Sequence, residues 1–324
     1  MSIGVGLVGT GYAARVRAEC FQGDGRSHLV AVAGRDPQRT QELAAPLGAI
    51  ALPAWQDLVQ HPAVDLVVIA TINREHGAIA RAALQAGKHV VVEYPLALDL
   101  AEAEALLPLA QQQQRLLHVE HIELLSGIQG AIAQALPQIG TPFYVRYSNL
   151  TPKQPAPDKW TYRTDLFGFP LVGALARIHR LIRLFGNVAR VSCQARFWGN
   201  TLPTSAYTAC LASAQLKFTS GLVADVIYGK GQAFWNPERT LSIQAENGGI
   251  WIDGDMGSLT TPTGTQALDM GSRRGLFAQD TTLVLDHLTQ GTPLYVSPQQ
   301  SLYALQVADA TRRAAETGQV IELS

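Results

Sequence analysis

Val8-Gly9-Thr10-Gly11-Tyr12-Ala13-Ala14 closes one short apolar run, Ile3–Val8, and opens a helical pattern. The stretch matches G-x-G-x-x-G/A, with Ala14 in the third position. Each small residue has its own task. Gly9 permits a tight turn, Gly11 lets a pyrophosphate approach the backbone, and Ala14 keeps helix and strand close. The helix start then offers free N–H groups and the positive end of its dipole. Thr10, Tyr12 and Ala13 complete the expected phosphate-binding turn. Alone the pattern is weak; between a strand and a helix, at the head of a βαβ array, it is strong.

The surroundings supply that array. Leu29–Ala33, Leu66–Ala70, Val90–Val92 and Leu116–Val119 are short and apolar on both faces, as in a buried parallel sheet. Between them His76–Ala86 and Leu100–Gln113 read as helices. The fold class expected is therefore α/β, with a doubly wound parallel Rossmann sheet over residues 1–120. After about His121 the pattern changes. Phe143–Ser148, Val191–Trp198, Tyr207–Lys217, Leu222–Tyr228 and Leu241–Ala245 alternate, as antiparallel strands with one buried face do. Gly248-Gly249 and Asp253-Gly254 mark turns. Helices are expected near Leu124–Leu136, at Pro170–Phe185 and twice after Gln279. Residues 121–324 thus form a C-terminal α+β substrate domain on a large, open, mostly antiparallel sheet.

Composition narrows the function classes. The chain has 324 residues, 47% of them hydrophobic, enough to bury a large core. Lys plus Arg is 25 and Asp plus Glu is 26, so no general field draws nucleic acid or an anionic membrane. No apolar run approaches the ~20 residues that span a bilayer. The start lacks the basic region of a secretory signal. Cys20, Cys193 and Cys210 are odd in number and far apart, which fits a reducing cytoplasm. No metal site is expected: Glu120, His121 and Glu123 have the wrong spacing and no Cys or Asp-rich partner.

The second strand decides between dinucleotides. NAD enzymes usually place an acid at its tip, on the ribose 2′-OH. Here that position is Gly34, and Arg35 follows; a guanidinium suits a 2′-phosphate. NADPH is the expected cofactor, with NADH weaker. Asp36 is the rival, as a ribose acid or as the cap of a helix that begins at Pro37. Thr71 and Asn73 lie at a strand's carboxyl end and can bond the cofactor or cap a helix. Glu93-Tyr94-Pro95 lies at the next one.

The Gly9/Gly11 turn, the E-x-P segment and the α+β second half resemble the oxidoreductase family named for glucose–fructose oxidoreductase and inositol dehydrogenase. In its sugar-oxidising members the segment is Glu-Lys-Pro, and a helix in the second domain supplies an Asp and a His. In this sequence Tyr94 replaces the Lys. Arg177 and Arg180 fall where the acid and base belong, with His179 off register. Arg stays protonated and Tyr titrates near ~10, so neither is a good base for an alcohol.

Four segments are closer to one branch of that family. Glu93-Tyr94-Pro95-Leu96, His118–Leu125, Phe167–Val172 and Gly271–Phe277 resemble the cyanobacterial-type biliverdin reductases, from Gly6 to about Asp309. The resemblance implies NADPH-dependent reduction of biliverdin IXα to bilirubin IXα at the central methine carbon. No hydroxyl proton is removed in that reaction, and the substrate's two propionates call for cations. Arg177 is then the expected catalytic cation, in a helix that would border the cofactor. Tyr94 and Glu93 are the further catalytic candidates, expected beside the nicotinamide, and Glu93 is expected to bind the cofactor as well. Arg180, Arg273 and Arg274 are the further substrate-binding candidates. For each a plainer role exists: an ion pair for Arg177, ring packing for Tyr94, a solvated turn for Arg273 and Arg274. The resemblance also implies a monomer. The rival functions are a sugar or cyclitol NAD(P)-dependent dehydrogenase and an NADP-binding sensor without turnover.

Overall fold

The computed structural model describes residues 2–199 and 205–323. Strands and helices alternate first: β1 (Ile3–Val8), α1 (Tyr12–Gly23), β2 (Ser27–Ala33), α2 (Pro37–Ala44), β3 (Ile50–Leu52) and α3 (Trp55–Gln60). Then follow β4 (Leu66–Ile69), α4 (His76–Gln85), β5 (His89–Val92), α5 (Leu100–Gln112) and β6 (Leu117–Val119). The second half begins with α6 (Gly127–Ala135), β7 (Pro142–Pro152), α7 (Thr164–Phe167), α8 (Pro170–Gly173) and α9 (Ala176–Phe185). Seven strands come next: β8 (Val188–Trp198), β9 (Ala209–Phe218), β10 (Val223–Gly231), β11 (Glu238–Ala245), β12 (Gly248–Asp253), β13 (Met256–Thr261) and β14 (Gly264–Ala267). The chain ends with α10 (Leu276–Gln290), α11 (Pro298–Thr317) and β15 (Ile321–Glu322).

β1–β6 form a parallel sheet in the order β3-β2-β1-β4-β5-β6. Its order reverses between β1 and β4, so ligands are expected at the carboxyl ends there. The remaining nine strands form one mixed sheet, β14-β13-β12-β11-β7-β10-β9-β8-β15. All its pairings are antiparallel except β7 with β10.

The chain divides into two compact units, and not at a single crossing. Met1–Ile122 groups with Gly275–Tyr303; Glu123–Arg274 groups with Ala304–Ser324. Residues 275–303, which the sequence reading left in the second domain, return to the first. The reason is apolar: Val284 and Leu285 of α10 are wholly buried in the core built by Val5, Leu7, Ala14, Ala18 and Phe21. A helical apolar stripe says that a helix packs, but not on which sheet.

Two local expectations are corrected. Pro170–Phe185 is not one helix: it breaks at Ala174 and Leu175 into α8 and α9. A Cβ on Gly173 would meet the Phe167 ring at 2.4 Å, so the aromatic ring packs where a regular helix would carry a side chain. The turn placed at Gly248-Gly249 lies at Glu246-Asn247 instead, and the glycines begin β12.

The Gly9–Ala14 turn shows why its small residues differ. Gly9 has φ +126°, and a Cβ there would sit 2.1 Å from the Ala70 carbonyl oxygen. Gly11 has φ −78°, and a Cβ there would meet nothing within 4 Å. One glycine is demanded by the fold; the other leaves open space at the start of α1. We expect Gly9→Ala to destabilise the protein by about 1–3 kcal/mol. Gly11→Ala should unfold in urea within ~0.5 kcal/mol of the parent. Equal losses for the two variants would contradict this division.

Candidate functional site

Three strand ends and one helix start converge in the first unit. Gly11 is the N-cap of α1, with no side chain capping it and no acid in the first turn. The N–H groups of Tyr12 and Ala13 are thus available to an anion. At the tip of β2, a Cβ on Gly34 would lie 2.6 Å from Thr40 Oγ1 and 2.7 Å from Thr10 Cγ2, so a side chain there would have to displace both threonines. Asp36 is occupied: its carboxylate accepts from the Arg39 N–H at 3.1 Å and caps α2. Arg35 is exposed and forms no ion pair among the described residues. The tip of β2 therefore presents a free cation and a committed acid. These features fit a phosphorylated dinucleotide.

Beyond β4, Thr71 is half-buried and Asn73 is buried at the head of a short 3₁₀ turn. His76 joins them to the next strand end. Its Nδ1 lies 2.8 Å from the Pro95 carbonyl and its Nε2 lies 3.3 Å from that of Thr71. Burial pushes the His76 pKa down, so the ring is neutral. The Tyr94-Pro95 peptide is cis. Tyr94 stacks on His121, with centroids 5.7 Å apart and planes within 3°. His121 in turn bonds Ser301 at 3.0 Å. Tyr94 thus presents a ring held by another ring.

Glu93 belongs to a buried network that the sequence did not disclose. Arg17, fully buried in α1, donates to Glu93 at 2.9 Å and pairs with Asp280 of α10. Its guanidinium also lies 4.9 Å from the Phe277 ring centroid. Asp280 accepts further from His118 at 2.8 Å and from the Tyr295 hydroxyl at 2.7 Å. Burial alone would raise the Asp280 pKa; the charge of Arg17 and the bonds from His118 and Tyr295 hold it well below the usual carboxylate range. Glu120 behaves oppositely. Burial, then the neighbouring Glu93, push its carboxyl well above the normal value. It therefore holds its proton to higher pH than Asp280 does. An Arg inside an amphipathic helix pattern ordinarily reads as a solvated residue, which is why sequence reasoning missed Arg17. Glu120, His121 and Glu123 turn to separate partners and make no common cluster.

In the second unit the four candidate arginines have different surroundings. Arg180 is buried and donates to Glu123 Oε2 at 2.9 Å. Arg273 sits between that carboxylate, at 3.8 Å, and Asp255, at 3.3 Å. Arg274 is exposed, with no side-chain bond among the described residues. Arg177 begins α9, just past the break. Its guanidinium donates to two neutral oxygens, Asn149 Oδ1 at 3.3 Å and the Ala174 carbonyl at 3.4 Å. It also lies over the Tyr228 ring at 4.9 Å. No carboxylate pairs with it among the described residues, and its buried Nε has no partner. His179 is unsuited to act as a base: burial, then Arg183, lower its pKa to about 4. Asn149 and Tyr228 were not anticipated, although the alternation of β7 and β10 places both on one sheet face.

Removing the Asp280 charge should expose the weight of the first network. Asp280→Asn leaves Arg17 buried with Glu93 alone, and we expect a loss of about 3–5 kcal/mol in chemical denaturation. The pH dependence follows in sign. Asp280 is depressed in the folded state, so its contribution is full above the unfolded value near ~3.9 and lost as pH falls towards the folded one. The variant should lack that acid slope; a parent-like slope would show that Asp280 does not carry it.

Comparisons with known proteins agree with this architecture. Residues 3–121 match the model of the oxidoreductase family with an NAD-binding Rossmann fold, and residues 134–323 match that family's C-terminal alpha/beta domain. A Synechocystis sp. PCC 6803 biliverdin reductase, solved with biliverdin and NADP+, is 51% identical, with a TM-score of 0.94. The match covers 97% of this chain and 99% of that one. Mouse biliverdin reductase A is 32% identical over 58% of this chain and 60% of its own length. UDP-N-acetylglucosamine 3-dehydrogenase of Acidithiobacillus ferrooxidans is 33% identical over 46% of each protein. The match thus spans less than two thirds of these two curated relatives. No helix of the described residues is long and apolar enough to cross a membrane. With both halves matched, this chain belongs to the GFO/IDH/MocA oxidoreductase family.

Proposed function

We propose that this chain reduces biliverdin IXα to bilirubin IXα with NADPH, at the central methine carbon. The observation that carries the reading is the state of Arg177: a half-buried guanidinium at a helix start, with neutral partners and no counter-ion among the described residues. Such a cation is available to an acid. The likeness to the Synechocystis enzyme supports the choice of pigment and cofactor.

The division of labour follows from the residues. Gly9, Thr10, Gly11, Tyr12 and Ala13 receive the pyrophosphate, Thr71 and Asn73 contribute at the next strand end, and Arg35 receives the 2′-phosphate. When bound, NADPH supplies the hydride. Arg177 holds the pigment and stabilises negative charge that develops as the methine carbon is reduced. A pyrrole nitrogen must also gain a proton. A guanidinium is in general too weak an acid to give one, so the role left to Arg177 is to organise a water that does. Tyr94, stacked on His121, offers its ring to the nicotinamide side, and Glu93 fixes Arg17 beneath it. Arg274, exposed and without a side-chain ion pair among the described residues, stands as the outer cation for a propionate; the charge of Arg180 is met by Glu123, and that of Arg273 by Glu123 and Asp255, so either would serve a propionate only by exchanging those partners. A sugar or cyclitol dehydrogenase would need a base, and His179, its pKa lowered by burial to about 4, is a weak one.

Cytoplasmic location is supported by three unpaired thiols. A monomer is supported by the outer sheet face, where one row runs Gln215-Asp225-Arg146-Ser242-Trp251-Ser258, mostly polar.

Two measurements test the reading. Arg177→Ala should lower kcat/KM for biliverdin by about 10²–10³-fold with the NADPH Kd unchanged; near-parental turnover would refute the role. Arg35→Ala should weaken NADPH by about 10–100-fold in equilibrium binding while NADH binds as before. An unchanged preference would return the choice to other residues.

A further inference from the structure

Lys230 lies on the buried face of β10, two residues beyond Tyr228. It is 7% exposed. Its ammonium group sits among four aromatic rings: Phe167 at 3.9 Å, Tyr162 at 4.9 Å, Tyr207 at 5.6 Å and Tyr228 at 5.9 Å. One hydrogen bond goes to the Thr161 carbonyl, at 2.5 Å. No carboxylate pairs with it among the described residues. Across the ladder its partner is Cys210, a buried thiol. The Tyr228 ring is shared, because the Arg177 guanidinium lies over it at 4.9 Å. The Tyr228 hydroxyl makes no hydrogen bond among the described residues.

Two cations therefore flank one buried ring, with nothing negative to offset them. Aromatic faces attract a cation through their quadrupole but carry no net charge, so they do not neutralise it as a counter-ion would. In a low-dielectric setting like charges repel. A residue with only a packing role would not need the charge; Met or Leu fills such a box. The arrangement is unfavourable in the free protein and is relieved when an anion arrives.

We infer that Lys230 is a second cation of the pigment site, a positioning residue that acts through Tyr228 and strengthens the pull of Arg177 on an acidic substrate. This rests on the proposed biliverdin reduction. The groups facing Lys230 are the Cys210 thiol of β9, Arg177 of α9, and the phenols of Tyr162, Tyr207 and Tyr228. Burial, with Arg177 adding to it, lowers the ammonium pKa to about 8. The raised pKa values of Cys210, Tyr162, Tyr207 and Tyr228, each due first to burial, keep those groups neutral through that range. Lys230 is the member of the box whose pKa is lowered, so its charge is the first to be lost as pH rises from 7 to 9.

The test is steady-state kinetics with biliverdin and NADPH from pH 6.5 to 9.5, on the parent, Lys230→Met and Lys230→Arg. The parent should show KM for biliverdin rising about tenfold across the titration of Lys230, with kcat changing far less. Lys230→Met should have the high KM at every pH, and Lys230→Arg should keep the low KM at pH 9. A Met variant with the parent's KM and alkaline limb would overturn the inference. Should that variant not fold, the parent alone decides. Its affinity for biliverdin should fall from pH 7 to 9 while that for the uncharged dimethyl ester does not. An equal dependence for both pigments would also overturn it. If no variant and no parent turns biliverdin over with NADPH, it is the proposed reaction that fails, and the binding comparison still reads Lys230.

Discussion

Arg17 is the charge around which the first unit is arranged. It has no exposed surface, and it is met by Asp280 and Glu93. A guanidinium in that position is tolerable only when its partners are in place, since removing one leaves a buried charge alone. The two partners come from points of the chain distant from α1: Glu93 from the end of β5 and Asp280 from α10. Arg17 therefore ties the helix that opens with the phosphate turn to the E-Y-P segment. It also holds in place the returning helix whose apolar side completes the core. His118 and Tyr295 complete the shell of Asp280, while nearby Glu120 is shifted the other way by burial and Glu93. Two carboxyls shifted in opposite directions within the same network is what separate environments produce.

The second unit handles charge by the opposite rule. There Arg180 and Arg273 share Glu123, and their charges are largely answered within the protein. Arg177 and Lys230 are left unanswered, stacked against aromatic rings rather than carboxylates. A reaction that removes a hydroxyl proton would call for a base here. A reaction that seats a flat diacid calls for positive charge on an aromatic floor. At the break between α8 and α9 the Ala174 carbonyl accepts both the backbone N–H and the guanidinium of Arg177, each at 3.4 Å.

Much of this was open to reading in the residues. The six short strands and the Gly9–Ala14 turn specify a parallel sheet with a helix N-terminus at its switch point, since both depend on local spacing. Of the six, only the three-residue β3 escaped notice, too short for an apolar run to register. Asp36 before Pro37 was visible as a cap or a ribose acid, and the cap is what the structure shows. Arg177 and Arg180 looked alike, three residues apart on one helix; they differ because Glu123, distant in sequence, faces only one of them. Lys230 had a usable signal, the period-two alternation Ala224, Val226, Tyr228, Lys230, which put it on the buried face.

The sequence by itself determined what nearest neighbours along the chain determine: where most strands and helices form, which glycines bend or open the turn, and that Gly34 holds the usual acid position at the tip of β2 with Arg35 after it. Tertiary structure alone decided which charges have partners and which do not. It also decided that residues 275–303 return to the first unit and that the long helix of the second unit breaks. The physical reason is range. Backbone geometry and periodicity act over a few residues, whereas ion pairing, desolvation and core packing are settled by groups that meet only after the chain has folded.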